Sequence, residues 1–590
     1  MMYRITGQGI NNHEALFGLM DKINVMPGEL AGGRIQEIVT ERVDEASIKY
    51  KGRMMEQQDI IRNKAEEIFG RRWKKKMRQF QSKTENTFKL DLADDRPSLS
   101  QVQMAYLYNQ FKDPSLHPTF ENMLGENYEE IMKDLESKLD PKLKEWADWM
   151  VDEYFPSVYN HYNETYKKIY RTDMPFNQNY AGRIFREGVD NNKPLDLLGN
   201  ASIYQTSIAP GSTKVREKDA KNNILPMDIN NALLSYVQDM EYFAAYAEPM
   251  RDINKMFNNN NTSKFLKKVY GKNIQELIQN QIQKISGKGP QNDKRARIIN
   301  YLNNSFVYAK IALSPVVFVK QLTSIFTYAN DIGYGNWLKY SGAAALKTPL
   351  GMGKTWREIT NNSVYIQDRA KGTNIKRAIG NYYDAKNQLL NNSFLEASQK
   401  ALLITTRAGD KLAIMLGGMP NYLYYKAQYK KQNPQATEQE VIDYAVKKFE
   451  KDTKQTQQSS DLQDRDYYQT SDGFMRAMNM FLTTPKQYLR KEIIALRNLR
   501  RMMNGKAARG TAFENVRQFF TYHFVMPMLF QWVAAGFPTG DDWDEEDTDD
   551  MIRAAIIGNL NGAFVLGDML STFSDFVQGK PWAADLNNIP

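Results

Sequence analysis

The sequence contains no cysteine. That absence excludes disulfide staples, thiolate nucleophiles and every metal or cluster site built on sulfur ligands. Histidine is almost as scarce. The 4 present, His13, His117, His161 and His523, stand far apart, so an imidazole metal centre has no basis and neither metal nor other cofactor is expected. Alternating runs of β-branched residues closed by an Asn-Gly or Asp-Gly turn are missing too, which leaves little for a sheet. The opening stretch from Met1 to Gly18 has no basic segment followed by an apolar run, so no secretory leader is expected in it.

What is present is helix-forming material in quantity. The 590 residues exceed what one hydrophobic core organises, roughly 250–300 residues, and point to about two to four subdomains. With 42% apolar and 12% aromatic residues there is ample surface to bury, which excludes a disordered chain. The expected fold is all-α, an elongated helical protein of several subdomains with a hydrophobic C-terminal helical segment. The net charge of +9 suits an anionic partner without singling one out.

Four regions follow from breaks in the helical pattern. Residues 1–150 form a charged helical region, within which 28–82 reads as a long helix or helix pair. Residues 151–288 form a second, containing a Pro-, Gly- and Asn-rich stretch over 173–227 that reads as a long ordered connection between subdomains. Residues 289–505 form a central helical domain, and 506–590 a pair of hydrophobic helices split by an acidic loop over 541–550. Asp140-Pro141 marks a helix start, Thr437 with Glu440 a capping box, and Asn258 to Asn261 a loop tip.

Three apolar segments approach membrane-span length: Phe306 to Ala329, Phe519 to Phe537 and Met551 to Val577. Each carries ionisable or helix-breaking residues, among them Lys310, Lys320 and Pro315 in the first and Arg553, Asp568 and Asp575 in the third. Such groups are costly in lipid, so buried core helices are the favoured reading.

Two basic clusters are candidate contacts for lipid or nucleic acid. From Thr484-Pro485, residues Leu489, Ile493, Leu496, Leu499 and Met503 recur every three or four positions, while Lys486, Arg490, Arg497 and Arg501 share another face. The ordinary expectation for such a helix is an apolar face packed on a core and a solvated basic face. The second cluster, Arg71, Arg72, Trp73 and Lys74, embeds an indole that can stack on a base.

No catalytic set is legible, and an enzyme is not expected. Gly351-Met352-Gly353-Lys354-Thr355 ends like a phosphate-binding loop, but the required first glycine is Thr348 and no buried strand precedes it. Carboxylate pairs such as Asp152-Glu153 are adjacent and so diverge on a helix.

An ordered series of segments carries a resemblance. Tyr154-Phe155-Pro156-Ser157-Val158-Tyr159-Asn160 and Tyr166 to Tyr170 lead through Asp173-Met174-Pro175 to Asn179-Tyr180, where Ala181-Gly182 replaces the usual Phe-Pro. Ile311 to Val317 with Lys320-Gln321-Leu322, Arg407 to Lys411, Ala445, Lys454 to Ser460, Phe481 to Pro485, Asn559 to Asp568 and Gly579 to Trp582 follow in order. Together they resemble the large polyvalent protein-associated domain families of phages and mobile elements, over about residues 150–590. The resemblance implies a phage virion protein, capsid cargo or an internal ejection protein, held in the capsid interior or tail lumen and delivered to the host cell with the DNA. Implied partners are the portal, the tail or further cargo proteins, with phage DNA, the host membrane and a homo-oligomer as further options. The rival readings are a structural neck, portal-associated or head protein, and an enzyme whose site is not recognisable.

Overall fold

The computed structural model describes residues 37–82, 88–89, 98–182, 222–286, 324–370, 409–456, 483–505 and 510–529, with isolated positions at 16, 19, 20, 35, 184, 464 and 508. Of these residues 84% are helical, so the all-α expectation holds. The strands among them are β1 (Phe88–Lys89) and β2 (Ser98–Leu99), an antiparallel pair with Phe88 opposite Leu99. No described helix is long and apolar enough to cross a membrane. The apolar segment 551–577, the acidic loop 541–550 and most of 306–329 lie outside the described residues.

The chain divides into two compact units, one of residues 42–263 and one of residues 1–41 with 264–590. This division cuts across the four regions read from the sequence. The stretch 173–227 has both its ends in the first of these units, and its middle, from 185 to 221, lies outside the described residues.

In the 42–263 unit, α1 (Arg42–Phe69) and α2 (Trp73–Gln81) are the expected helix pair, separated by a left-handed turn at Gly70. Next come α3 (Gln101–Phe111), α4 (His117–Leu124), α5 (Tyr128–Ser137) and α6 (Pro141–Trp149). Asp140 caps α6 as its sequence suggests, accepting from the Lys142 and Leu143 amides while Pro141 fills the first turn. A wide π turn, Met150–Tyr154, runs without a break into α7 (Phe155–Tyr170). The long α8 (Ile229–Asn258) packs along α1 and α7 and buries Tyr236, Val237, Met240, Glu241 and Ala244 against them. The Asn258 to Asn261 stretch is a one-residue break at Asn259, after which α9 (Asn260–Tyr270) begins.

The other unit follows with α10 (Lys272–Ser286), α11 (Ser324–Ile332), α12 (Tyr334–Ser341), α13 (Pro349–Asn362) and α14 (Val364–Ala370). A π turn, Ile414–Gly418, leads into α15 (Met419–Gln432), which pairs with α16 (Glu438–Thr456). Their core gathers Tyr328, Ile359, Tyr365, Ile366, Met419, Tyr422, Ala445 and Phe449. Gly417 and Gly418 are needed here for close approach. A methyl group at either would sit 2.7 Å from the Tyr328 ring or 2.6 Å from that of Phe449. The capping box forms as read, with the Thr437 amide donating to Glu440 Oε2 at 2.8 Å. Last, α17 (Thr483–Met503) and α18 (Ala512–Phe520) fold back on each other, and a π turn, Thr521–Val525, extends α18.

Candidate functional site: a basic and apolar helical hairpin beside a buried carboxylate network

The leucine stripe of α17 is not the face this helix buries. Tyr488, Lys491, Glu492, Ala495 and Asn498 are buried, whereas Leu489, Ile493 and Leu499 are half-buried and Leu496 and Met503 exposed. This corrects the sequence expectation, and the cause is the partners available to the polar side. Lys491 Nζ donates to Tyr522 Oη at 2.9 Å and reaches Asp331 Oδ1 at 3.4 Å. Glu492 Oε1 lies 2.7 Å from His523 Nδ1, and Asn498 donates to Asn515 at 3.0 Å. The Tyr488 and Tyr522 rings pack 5.3 Å apart. Buried polar groups satisfied in this way stabilise a specific pairing that hydrophobicity alone would not select.

Of the basic residues singled out on α17, Arg490, Arg497 and Arg501 are half-buried and engaged in polar or ring contacts. The Lys486 side chain lies outside the described residues. Arg500, which the spacing did not single out, is exposed. Arg71, Arg72 and Lys74 are exposed at the turn that opens α2, with Lys74 Nζ 5.4 Å from the centroid of the half-buried Trp73 ring. The two clusters belong to different units.

Behind α17 lies a network that the sequence reading missed. Asp452 on α16 accepts from Tyr425 Oη at 2.6 Å and from Asn421 Nδ2 at 3.1 Å. Thr456 Oγ1 donates to the Asp452 carbonyl and faces Asp331 Oδ2 at 3.5 Å. Burial, with the neighbouring Asp331 charge added, pushes the Asp452 carboxyl up to about 7. Burial also raises Asp331, against the pull of Lys491. Nearby, Arg369 and Asp410 form a buried two-pronged ion pair at 2.6 and 3.2 Å, and Arg369 also donates to Tyr365 Oη at 3.1 Å. The signal for Asp452 was present: Ala445, Phe449, Asp452 and Thr456 recur on one buried helical face.

The 42–263 unit holds a counterpart. Glu241 on α8 is fully buried, with Arg53 Nη2 at 3.2 Å from Oε1 and Tyr162 Oη donating to Oε1 at 3.1 Å. His161 Nε2 stands 3.5 Å from Oε2, long for a hydrogen bond. Burial raises this carboxyl, but His161 and Arg53 together bring it below its usual value.

The remaining sequence features are structural. Gly351 to Thr355 lies inside α13, whose cap Thr348 accepts from the Gly351 amide at 3.1 Å, so no phosphate-cradling loop forms there. The segment from Tyr154 to Tyr180 is built on local contacts. Asn163 donates to Asp173 at 2.6 Å and accepts from the Met174 amide at 2.7 Å, and the Phe155 and Tyr180 rings meet edge to face at 5.3 Å. Gly182, at φ +83°, leaves room for the Phe155 ring. Of the further segments in the ordered series, Asp410, Ala445, Lys454 and Thr456 line the core or its polar network. Among the described residues no group of three or more acidic or imidazole side chains has the arrangement of a metal site. No family model, curated protein or solved structure matches the chain.

Proposed function

We propose that this chain is a phage virion protein, packaged inside the particle as capsid cargo or an internal ejection protein and delivered to the host cell with the DNA. In this reading it acts by contact, on membrane or genome, and not by catalysis. The observation that carries the reading is the outward presentation of α17, whose buried side is polar and whose accessible side is basic and apolar. The ordered series of segments from Tyr154 to Trp582 supports the virion setting. A cysteine-free helical chain, rich in local contacts, also suits passage through a narrow channel followed by rapid refolding.

The test is to quantify the protein in intact particles, in particles emptied of DNA, and in fractions of the infected host. Delivery requires it in intact particles, depleted from emptied ones and recovered in the host. Retention in emptied particles at fixed stoichiometry would instead make it a structural neck, portal-associated or head component.

A further inference from the structure

We propose that the α17–α18 hairpin is an interfacial lipid-binding element that lays one flank on an anionic membrane. The proposal rests on the reading above and narrows its choice between membrane and genome. Apolar side chains left in water are concentrated on this hairpin. Leu496 is 45% exposed, Met503 86%, Phe513 74%, Val516 52% and Phe520 56%. Together they form a patch of the kind that marks a contact surface.

These five residues share one flank. Leu496 and Met503 are seven apart on α17, and Phe513, Val516 and Phe520 are spaced by three and four on α18, so each set forms a stripe. The Asn498–Asn515 and Lys491–Tyr522 hydrogen bonds place the two segments antiparallel and define their seam. Lys491 reaching Asp331, and Arg517 donating to the Asn330 carbonyl at 2.8 Å, define the side facing α11. With seam and inner side assigned, both stripes fall on the remaining outer flank.

Charge selects the occupant. Helix α17 carries Lys486, Arg490, Lys491, Arg497, Arg500 and Arg501 against a single acid, Glu492, which is buried against His523. The accessible charge of α17 is therefore positive, with exposed Arg500 about one turn from Leu496 and Met503 along the helix and within roughly 60° of them around it. A second copy meeting this flank about a twofold axis would oppose arginine to arginine. A nucleic-acid backbone would satisfy the arginines but leave the Phe513, Val516 and Phe520 stripe in water. An anionic bilayer surface meets both requirements, taking the aromatic stripe into its acyl boundary and the arginines at its phosphates.

The experiment uses the full chain, vesicles of phosphatidylglycerol with phosphatidylcholine, vesicles of phosphatidylcholine alone, and duplex DNA. The protein should float with the anionic vesicles and far less with the neutral ones. Phe513→Ser with Phe520→Ser should weaken that binding at least about tenfold, because two exposed rings lose their apolar transfer, with helix content and thermal midpoint unchanged. Arg500→Gln should weaken it about fivefold at low salt and little at high salt. A tryptophan reporter, Phe513→Trp, should shift its emission to the blue on anionic vesicles. The proposal is overturned if the protein ignores anionic vesicles, if the two-serine variant floats unchanged, or if that variant loses DNA binding or self-association instead. Delivery is judged separately by particle fractionation. A two-serine protein that leaves particles normally, from a parent that never binds vesicles, would sink this inference alone.

Discussion

Each unit buries a carboxylate among aromatic side chains, and the two are handled in opposite ways. Glu241 is given a cation of its own, Arg53, and a tyrosine hydroxyl, and it stays ionised against the cost of burial. Asp452 is given neutral donors, Tyr425 and Asn421, and a second carboxylate nearby, and it rises to about 7. Depth alone therefore does not decide the charge of a buried acid; the charge of its partners does.

Each unit also holds a buried acid with an arginine partner, Asp410 with Arg369 and Glu241 with Arg53, and breaking these pairs should give the largest effects. Arg369→Met leaves Asp410 buried without its cation and should cost about 3–5 kcal/mol in urea unfolding. Arg53→Met should cost less, because Glu241 keeps Tyr162 and His161 and because Arg53 is partly exposed. If the two losses are equal, the depth of the pair has no bearing on its cost.

The second contrast is one of sign with pH. A raised acid binds its proton in the folded state at pH values where the unfolded chain has released it. Asp452 therefore adds stability at acid pH that is lost as the pH rises from near 4 toward 7. Glu241, lowered, contributes stability present above its unfolded value and lost as the pH falls through its folded one. Asp452→Asn should flatten the decline between pH 4 and 7 by up to about one proton of slope, and Glu241→Gln should leave that decline in place. Unfolding midpoints measured across pH decide it, and an unchanged decline in the asparagine variant would show that Asp452 does not carry it.

The smallest effect should be the same in both units. Thr437→Ala and Asp140→Ala each remove one helix cap and should each cost about 1 kcal/mol in the same assay.

Much of the fold was legible because helices are written in local spacing. The pair before residue 82, the Asp140 and Thr437 caps and the scarcity of strand among the described residues all follow from neighbours within a few positions. The face that α17 buries was not, because it is chosen by residues far along the chain: Asp331, 160 positions away, and Tyr522, 31 away. A leucine stripe outranks a lysine and a glutamate in any local count, yet here the polar side finds ready partners and the leucines stay half in water. The aromatic stripe of α18 was hidden for a different reason. Its residues lie partly in the apolar segment 519–537, where a run of hydrophobic letters reads as something to bury. The Arg71 to Lys74 cluster was found in the sequence, and the fold leaves it on the surface.

The π turn at Met150–Tyr154 acts as a phase shifter. By spending one residue more than an α turn, it rotates everything after it by about a quarter of a revolution relative to everything before. The single rod from Pro141 to Tyr170 can thus set Trp146 against Phe69 of α1 and Asn230 in the first turn of α8, while Tyr162 faces the acid further along α8. Sequence length and helix phase are coupled at such a place: excising one residue there would leave the rod straight and helical, but with one of its halves aimed at the wrong neighbour.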